Sequence, residues 1–117
     1  MAYKVILSKE VEQAIDNIHD YIATVLISPQ SAKNTVAKIL DSLKSLEIFP
    51  EAGFDADEKI GVKINSKYPS RGKIIDQYVL LYFIDQKRNT VFLSHLFLTK
   101  SDYVTLLQKD NIKKPNT

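Results

Sequence analysis

Residues 73–98, KIIDQYVLLYFIDQKRNTVFLSHLFL, decide the fold. Tyr78–Ile84 is apolar at successive positions, which indicates a central strand that is covered on both faces. Asp85–Asn89 is a polar hairpin loop, and Thr90–Leu98 is a second β-rich run. With the segment that begins at Gly72, these runs predict three antiparallel strands connected as a meander.

The chain before this sheet predicts one strand followed by two helices. Tyr3–Leu7 has the pattern of a short strand, and Ser8 can cap a helix whose apolar residues recur at three- and four-residue steps. Ser28 and Pro29 then suit the cap and first position of a second helix, which must end before Pro50. Two amphipathic helices joined by about three residues form an antiparallel hairpin.

The remaining segments are less regular. Residues 51–70 hold scattered charge, and the pattern allows only a short strand near Val62–Ile64. Thr99 and Asp102 have the spacing of a capping box before a short closing helix. We therefore expect one domain over residues 1–109 and a polar tail over 110–117. The order β-α-α-β-β-β-α predicts an α+β fold, with a helical hairpin packed on a small antiparallel sheet.

Charge is distributed unevenly along the chain. Residues 1–56 carry a net charge of −3 and residues 57–117 a net charge of +5. A basic segment of this kind suits a polyanion or an acidic protein partner, and a solvated lysine-rich loop is the alternative. Five cations of the second half follow one another with no acid between them: Lys59, Lys63, Lys67, Arg71 and Lys73.

The composition excludes several kinds of site. The chain has no cysteine, which excludes disulfides and thiolate metal sites, and its three glycines form no phosphate-binding loop. It shows neither a signal peptide nor an apolar run of membrane-spanning length, so we expect a soluble cytoplasmic protein that does not bind membranes. Only two histidines are present, too few and too separated to predict a metal site, and no cofactor is expected.

The two histidines have different interpretations. His19 lies on a polar flank of the first helix and is interpreted as a surface residue. His95 is expected to share a strand face with Val91, Leu93 and Phe97. It is either a satisfied histidine of the core or its rim, or a polar residue able to bind phosphate or to shuttle a proton.

Lysine, arginine and tyrosine side chains around the predicted sheet suit RNA. Cations neutralise phosphate, and tyrosine can stack on an unpaired base. The same residue types could cleave RNA without a metal: cations would stabilise the pentavalent phosphate, and a Lys or Tyr of lowered pKa would move protons. The residues are Arg71, Lys73, Tyr78, Tyr82, Lys100 and Tyr103.

Several motifs over residues 3–108 together resemble the RelE/ParE superfamily of type II toxin–antitoxin toxins. Ile15–Ile22 (IDNIHDYI) is similar to the first helix of that family, and Leu46–Pro50 (LEIFP) to the exit from its second helix. Ser70–Gly72 and Gln77–Asp85 are similar to the sheet of ParE-like members. The order and spacing of these motifs carry the resemblance.

The resemblance implies a microbial RNase-like fold and an antitoxin, encoded beside the toxin, with which it forms a hetero-oligomer. RelE-like members cut mRNA in the ribosomal A site, whereas ParE-like members poison DNA gyrase; both are cytoplasmic and need no cofactor. We expect ribosome-dependent mRNA cleavage, with the ribosome and mRNA as partners. Gyrase poisoning is the first alternative, and a non-catalytic antitoxin-binding protein is the second.

The resemblance also bears on individual residues. Four side chains fall near the catalytic positions of RelE-like nucleases: Arg71, Lys73, Lys100 and Tyr103. Five more are expected to bind nucleic acid: Lys59, Lys63, Lys67, Tyr78 and His95. Two positions depart from the nuclease pattern, because Val79 and Ser101 stand where those members often carry arginine. The long hairpin over residues 8–49 is typical of ParE-like members.

Overall fold

Five strands form one mixed sheet in the computed structural model, which describes residues 2–113, with side chains to residue 109. The strands are β1 (Lys4–Leu7), β2 (Phe54–Asp55), β3 (Ser70–Ile75), β4 (Tyr78–Asp85) and β5 (Thr90–Leu98). Their order across the sheet is β1-β5-β4-β3-β2, so β4 is central as predicted. β1 runs parallel to β5, and the other neighbours are antiparallel. The predicted α+β class and the β3-β4-β5 meander are confirmed.

Two long helices form the predicted antiparallel hairpin. They are α1 (Lys9–Asp20), which continues into a π-helical turn at Tyr21–Val25, and α2 (Pro29–Ile48). Ser8 caps α1 as predicted, since its Oγ accepts a hydrogen bond from the Val11 N–H at 3.2 Å.

The cap predicted at Ser28 does not form. The Ser28 hydroxyl donates to the Ser31 hydroxyl at 2.7 Å and accepts no bond from a backbone N–H of α2. The backbone explains the difference: Ser28 has ψ 77°, whereas the capping Ser8 has the extended ψ of 162° that turns its side chain towards the helix. Pro29 still begins α2, as predicted.

The sheet separates two apolar clusters. The helical hairpin covers one face, called here the hairpin face, where side chains of α1 and α2 meet those of the strands. The opposite, or second, face carries a smaller cluster under the C-terminal helix α4 (Tyr103–Lys113) and the short helix α3 (Ala56–Ile60). Successive residues of β4 alternate between the clusters, with Leu80 and Tyr82 on the hairpin face and Val79 and Leu81 on the second face.

The strand predicted near Val62–Ile64 is wrong, because those residues lie in the loop between α3 and β3. The short strand of this region is β2, which pairs Phe54 with Gly72 and Asp55 with Arg71. The Asp57 carboxylate accounts for the loop, since it accepts hydrogen bonds from the N–H groups of Ile64 and Ser70, both at 3.1 Å. The Ile64 N–H is therefore bonded to a side chain and not to a neighbouring strand.

The capping box predicted at the last helix is also wrong. Thr99 donates through both its N–H and its hydroxyl to the Gln77 carbonyl, at 2.8 and 3.1 Å, which holds it beside the start of β4. Asp102 itself occupies the cap position, because its carbonyl accepts the Leu106 N–H at 3.1 Å. The predicted tail begins at residue 110 within α4, and residues 114–117 lie outside the described part of the chain.

A β-bulge in β5 changes the face on which His95 lies. Tyr82 pairs with Leu93 and Leu81 with His95, so Ser94 is an extra residue in β5. The strict alternation behind the sequence prediction therefore breaks at Ser94. His95 shares the second face with Phe97, whose ring lies 5.4 Å away, but not with Val91 and Leu93, which belong to the hairpin-face cluster.

Ile27, at the tip of the hairpin, has a strained backbone conformation, and its side chain is not packed in the core. It has φ +51° although it is β-branched, and it is 83% exposed. We expect Ile27→Gly to raise the free energy of unfolding by about 0.5–1 kcal/mol, because glycine takes positive φ without the steric penalty of a β-carbon. Urea denaturation measures the change. Ile27→Ala keeps the β-carbon, so an equal gain in that variant would contradict the explanation by strain.

Candidate functional site

Arg71, the first predicted catalytic residue, bonds to the segment that leads from the hairpin into the sheet. It lies on β3, and its guanidinium Nη1 donates to the carbonyls of Glu51 at 3.0 Å and Gly53 at 3.1 Å. Arg71 is half-buried, and both acceptors are main-chain atoms of the 3₁₀ turn Pro50–Ala52 and its exit. In this arrangement the arginine holds the turn against the sheet.

Tyr82 holds the same turn from the central strand. Its fully buried hydroxyl donates to the Pro50 carbonyl at 2.8 Å and accepts the Gly53 N–H at 3.0 Å. Burial raises the pKa of Tyr82 above its ordinary value of 10.0, while the Gly53 N–H and the Arg71 charge act in the opposite direction. The tyrosine is therefore neutral at physiological pH and can make both hydrogen bonds.

Two glycines allow this close packing. A β-carbon at Gly53 would overlap the Tyr82 hydroxyl and the Gly72 carbonyl. A β-carbon at Gly72 would overlap the Phe54 ring, which covers that glycine. The Ser70–Gly72 motif thus has a structural role in this chain. Arg71 bonds to the turn, and Gly72 leaves room for the Phe54 ring.

Lys73 lies on the same face of β3 as Arg71, and its ammonium donates to the Ser45 hydroxyl of α2 at 2.5 Å. Lys100 is exposed beyond the end of β5 and lines a cavity of about 530 Å³ between the hairpin and the sheet. Tyr78 lines the same cavity. Burial and, to a smaller extent, the charge of Asp76 raise the Tyr78 pKa. The structure thus brings together Lys100 and Tyr78, which the sequence had assigned to different roles.

Tyr103 lies on the other side of the sheet. It is 9% exposed in the second-face cluster, and its ring stacks on Phe97 with centroids 5.7 Å apart. Val79, which the resemblance placed where nucleases often carry arginine, is fully buried in the same cluster. Arg71 and Lys73 lie on the hairpin face. The four predicted catalytic side chains therefore do not lie together in one site.

The predicted nucleic-acid-binding lysines lie in α3 (Lys59) and in the loop between α3 and β3 (Lys63 and Lys67). Lys59 extends over the Phe54 ring at 4.6 Å and Lys67 over the Tyr68 ring at 5.5 Å, while Lys63 is exposed in the loop. His95 contacts the Ser94 hydroxyl at 3.0 Å and the Glu10 carboxylate at 3.6 Å. The nucleic-acid role of these residues stays a prediction.

No group of three or more histidine, aspartate or glutamate side chains placed to hold a metal ion occurs within the described part of the chain. Across the same residues, no helix combines the length and apolar character that crossing a membrane requires.

A row of aromatic rings on the second face was missed by the sequence prediction. Tyr68 stacks on Phe83 and Phe83 on Phe92, with centroids 5.2 Å apart in each pair. The Phe83–Phe92 pair follows from the hairpin register, because the loop 86–89 places these residues opposite each other. Tyr68 arrives from an irregular loop, and no local pattern indicates its position.

Comparison with known proteins identifies the class of this fold. A chromosomal ParDE toxin–antitoxin system from P. aeruginosa matches with a TM-score of 0.63 and 16% identity, over 83% of this chain and 96% of that one. The archaeal RelE–RelB complex from Pyrococcus horikoshii OT3 matches with a TM-score of 0.56 and 16% identity, over 86% and 98%. A double mutant of E. coli RelE in the free state gives 0.59 and 12%, over 96% and 99%. The fold is therefore that of the RelE/ParE superfamily.

Residues 5–103 match the family model described as ParE toxin of type II toxin-antitoxin system, parDE. The chain belongs to this family and is a type II toxin. No curated protein sequence matches it.

Removing the Tyr82 hydroxyl tests the attachment of the turn. We expect Tyr82→Phe to lower the free energy of unfolding by about 1–3 kcal/mol at pH 7, because the Pro50 carbonyl and the Gly53 N–H lose their buried partner. Chemical denaturation measures this, with Tyr21→Phe as control because Tyr21 is 54% exposed. An equal loss in both variants would contradict the attachment.

The raised pKa of Tyr82 predicts how stability varies at alkaline pH. Its folded pKa exceeds its unfolded pKa, so the tyrosine's contribution is complete below pH 10.0 and is lost as pH rises through the folded value. Because the Tyr78 pKa is also raised, Tyr82→Phe should make the loss of stability above pH 10 shallower without abolishing it. Denaturation between pH 8 and 11 checks this, and an unchanged slope would contradict it.

Proposed function

We propose that this toxin inhibits growth by poisoning DNA gyrase, as ParE-like members of the superfamily do, and that it does so without cutting mRNA. The observation that carries the proposal is the separation of the four side chains which the resemblance assigned to RNA cleavage. Arg71 and Lys73 bond to protein groups on the hairpin side, whereas Tyr103 is buried on the second face.

Metal-free cleavage of RNA requires cations and a proton-transfer group directed at one phosphate. In this chain Arg71 donates to two main-chain carbonyls and Lys73 to a serine hydroxyl. Val79 stands where the resemblance places the nuclease arginine, and it is fully buried under α3 and α4. This arrangement favours the gyrase alternative, and the match to the ParE family model supports it.

An antitoxin is the proposed resting partner. The similar P. aeruginosa structure is of a ParDE toxin–antitoxin system, and the P. horikoshii structure is a RelE–RelB complex. We infer that a small protein encoded next to this toxin binds it in a hetero-oligomer and neutralises it. Co-expression of that neighbouring gene should restore growth, and the two proteins should co-purify.

Induced expression separates the two toxic mechanisms. Under the proposal, growth stops, covalent gyrase–DNA complexes accumulate and plasmid supercoiling changes, while mapped mRNA 5′ ends stay as in the uninduced culture. Under the nuclease alternative, new 5′ ends appear at A-site codons and supercoiling is unaffected. Growth that continues unchanged would contradict both mechanisms and favour a non-catalytic antitoxin-binding protein.

Tyr103→Phe gives the same experiment a residue-level control. The variant removes only the hydroxyl and keeps the ring that stacks on Phe97 at 5.7 Å. If Tyr103 is a packing residue, toxicity should be that of the unmodified chain within about twofold, because the buried surface is unchanged. Loss of toxicity together with loss of mRNA cleavage would instead support a proton-transfer role.

A further inference from the structure

The ring row Tyr68–Phe83–Phe92 has no role in either apolar cluster of the described residues. The rings are half-buried on the second face, near-parallel in both pairs, with interplanar angles of 8° and 22°. They cross from the loop before β3 over β4 to β5. Single-stranded nucleic acids bind by stacking their bases on aromatic rings. Because Phe83 lies between Tyr68 and Phe92, a base can stack only on a ring at an end of the row.

A cavity lies at each end of the row. At the Phe92 end, a cavity of about 360 Å³ is lined by Phe83, Phe92 and His95, with Asn65 and Ser94 among its polar groups. At the Tyr68 end, a cavity of about 450 Å³ lies between the loop before β3 and the β4–β5 hairpin loop. The two cavities adjoin, because Phe83 lines the first, Tyr68 lines the second, and these two rings stack on each other.

The two cavities differ in charge. The one beside Tyr68 is lined by three cations, Lys67, Lys87 and Arg88. Its single acid, Asp85, is 7% exposed in its side chain, accepts from the Tyr68 hydroxyl at 3.1 Å and pairs with Arg88 at 3.5 Å. The acid at the other cavity is Glu10, 3.6 Å from His95. The Tyr68 end therefore presents an excess of positive charge, and the Phe92 end presents mainly apolar and polar surface.

We propose that the ring row and its two cavities form a binding site for a short single-stranded nucleic acid. A base stacks on Phe92, the end ring, in the cavity that this ring lines, and the adjoining phosphates lie against Lys67, Lys87 and Arg88. The separation of aromatic surface from cations matches a ligand whose own bases and phosphates are separated. An acidic peptide would satisfy the cations but would make no specific use of the rings. The site goes beyond the proposed action on gyrase and does not depend on it.

Binding is measured with the full chain by fluorescence anisotropy, using end-labelled ten-nucleotide oligomers of deoxythymidine and of uridine. Phe92→Leu keeps an apolar side chain but removes the ring. We expect it to raise the Kd about fivefold or more, as loss of a base-stacking ring does elsewhere. Phe92→Tyr keeps the ring and should bind within about twofold of the unmodified chain.

The cations are tested by salt dependence. The double variant Lys67→Gln/Lys87→Gln should reduce the slope of log Kobs against log salt concentration by about 1.4, since each phosphate contact on a single strand contributes about 0.7. The matched controls, called the α2 controls, are Lys33 and Lys44 on α2 and Phe49 at its C-cap, all of which are exposed. Lys33→Gln/Lys44→Gln and Phe49→Leu remove the same charge and the same ring type, and they should leave both Kd and slope unchanged.

Each outcome decides for or against the site. Equal affinity for the two oligomers, or tighter binding of RNA through a contact to its 2′-hydroxyl, supports it. It is overturned if the unmodified chain binds neither oligomer at millimolar concentration, or if the α2 controls lose as much affinity as the site variants. It is also overturned if polyglutamate competes fully while Phe92→Leu and Phe92→Tyr bind alike. Gyrase poisoning in cells is read out separately, so failure of either proposal leaves the other intact.

Discussion

The attachment of the turn Pro50–Ala52 to the sheet is the contact on which the rest of the structure depends. The turn follows helix α2. The Tyr82 hydroxyl binds it by donating to the Pro50 carbonyl and accepting the Gly53 N–H. Arg71 bonds to two further carbonyls of the same segment. These bonds fix where β2 begins, and β2 in turn fixes α3 and the start of the loop that leads to β3.

This contact also explains the structural role of Arg71, which the resemblance had placed near a catalytic position. If the guanidinium turned towards a ligand, it would give up both bonds, and the loss is costly at the Gly53 carbonyl because that bond is partly buried. The central strand imposes a second constraint, because its alternation sends Tyr82 to one face and Val79 to the other. Side chains that lie close together in the sequence are thereby distributed over both faces of the sheet.

Much of the fold could be predicted from the sequence because its periodic signals are strong. The apolar run of β4, the hairpin loop after it and the steps of the two helices all predicted elements that the structure contains. The predictions failed where a side chain competes with a local pattern. Asp57 takes the Ile64 N–H that a strand at Val62–Ile64 would have used, and Thr99 bonds to Gln77 and so does not cap α4. The bulge at Ser94 is set by pairing with β4, and nothing in the local sequence marks it.

The candidate site was harder to predict because lysines and arginines that are close in the sequence do not lie close together in the structure. The basic second half divides into separate groups: Arg71 and Lys73 on the hairpin side, Lys59 over Phe54, and Lys67 beside Tyr68. Only the last group adjoins an aromatic surface with cavities at both ends. Because a cation bonded inside the fold has little freedom to bind a ligand, the position of each lysine and arginine matters more than their number. This difference in position is why the proposed nucleic-acid site lies on the β4–β5 hairpin and the loop before β3.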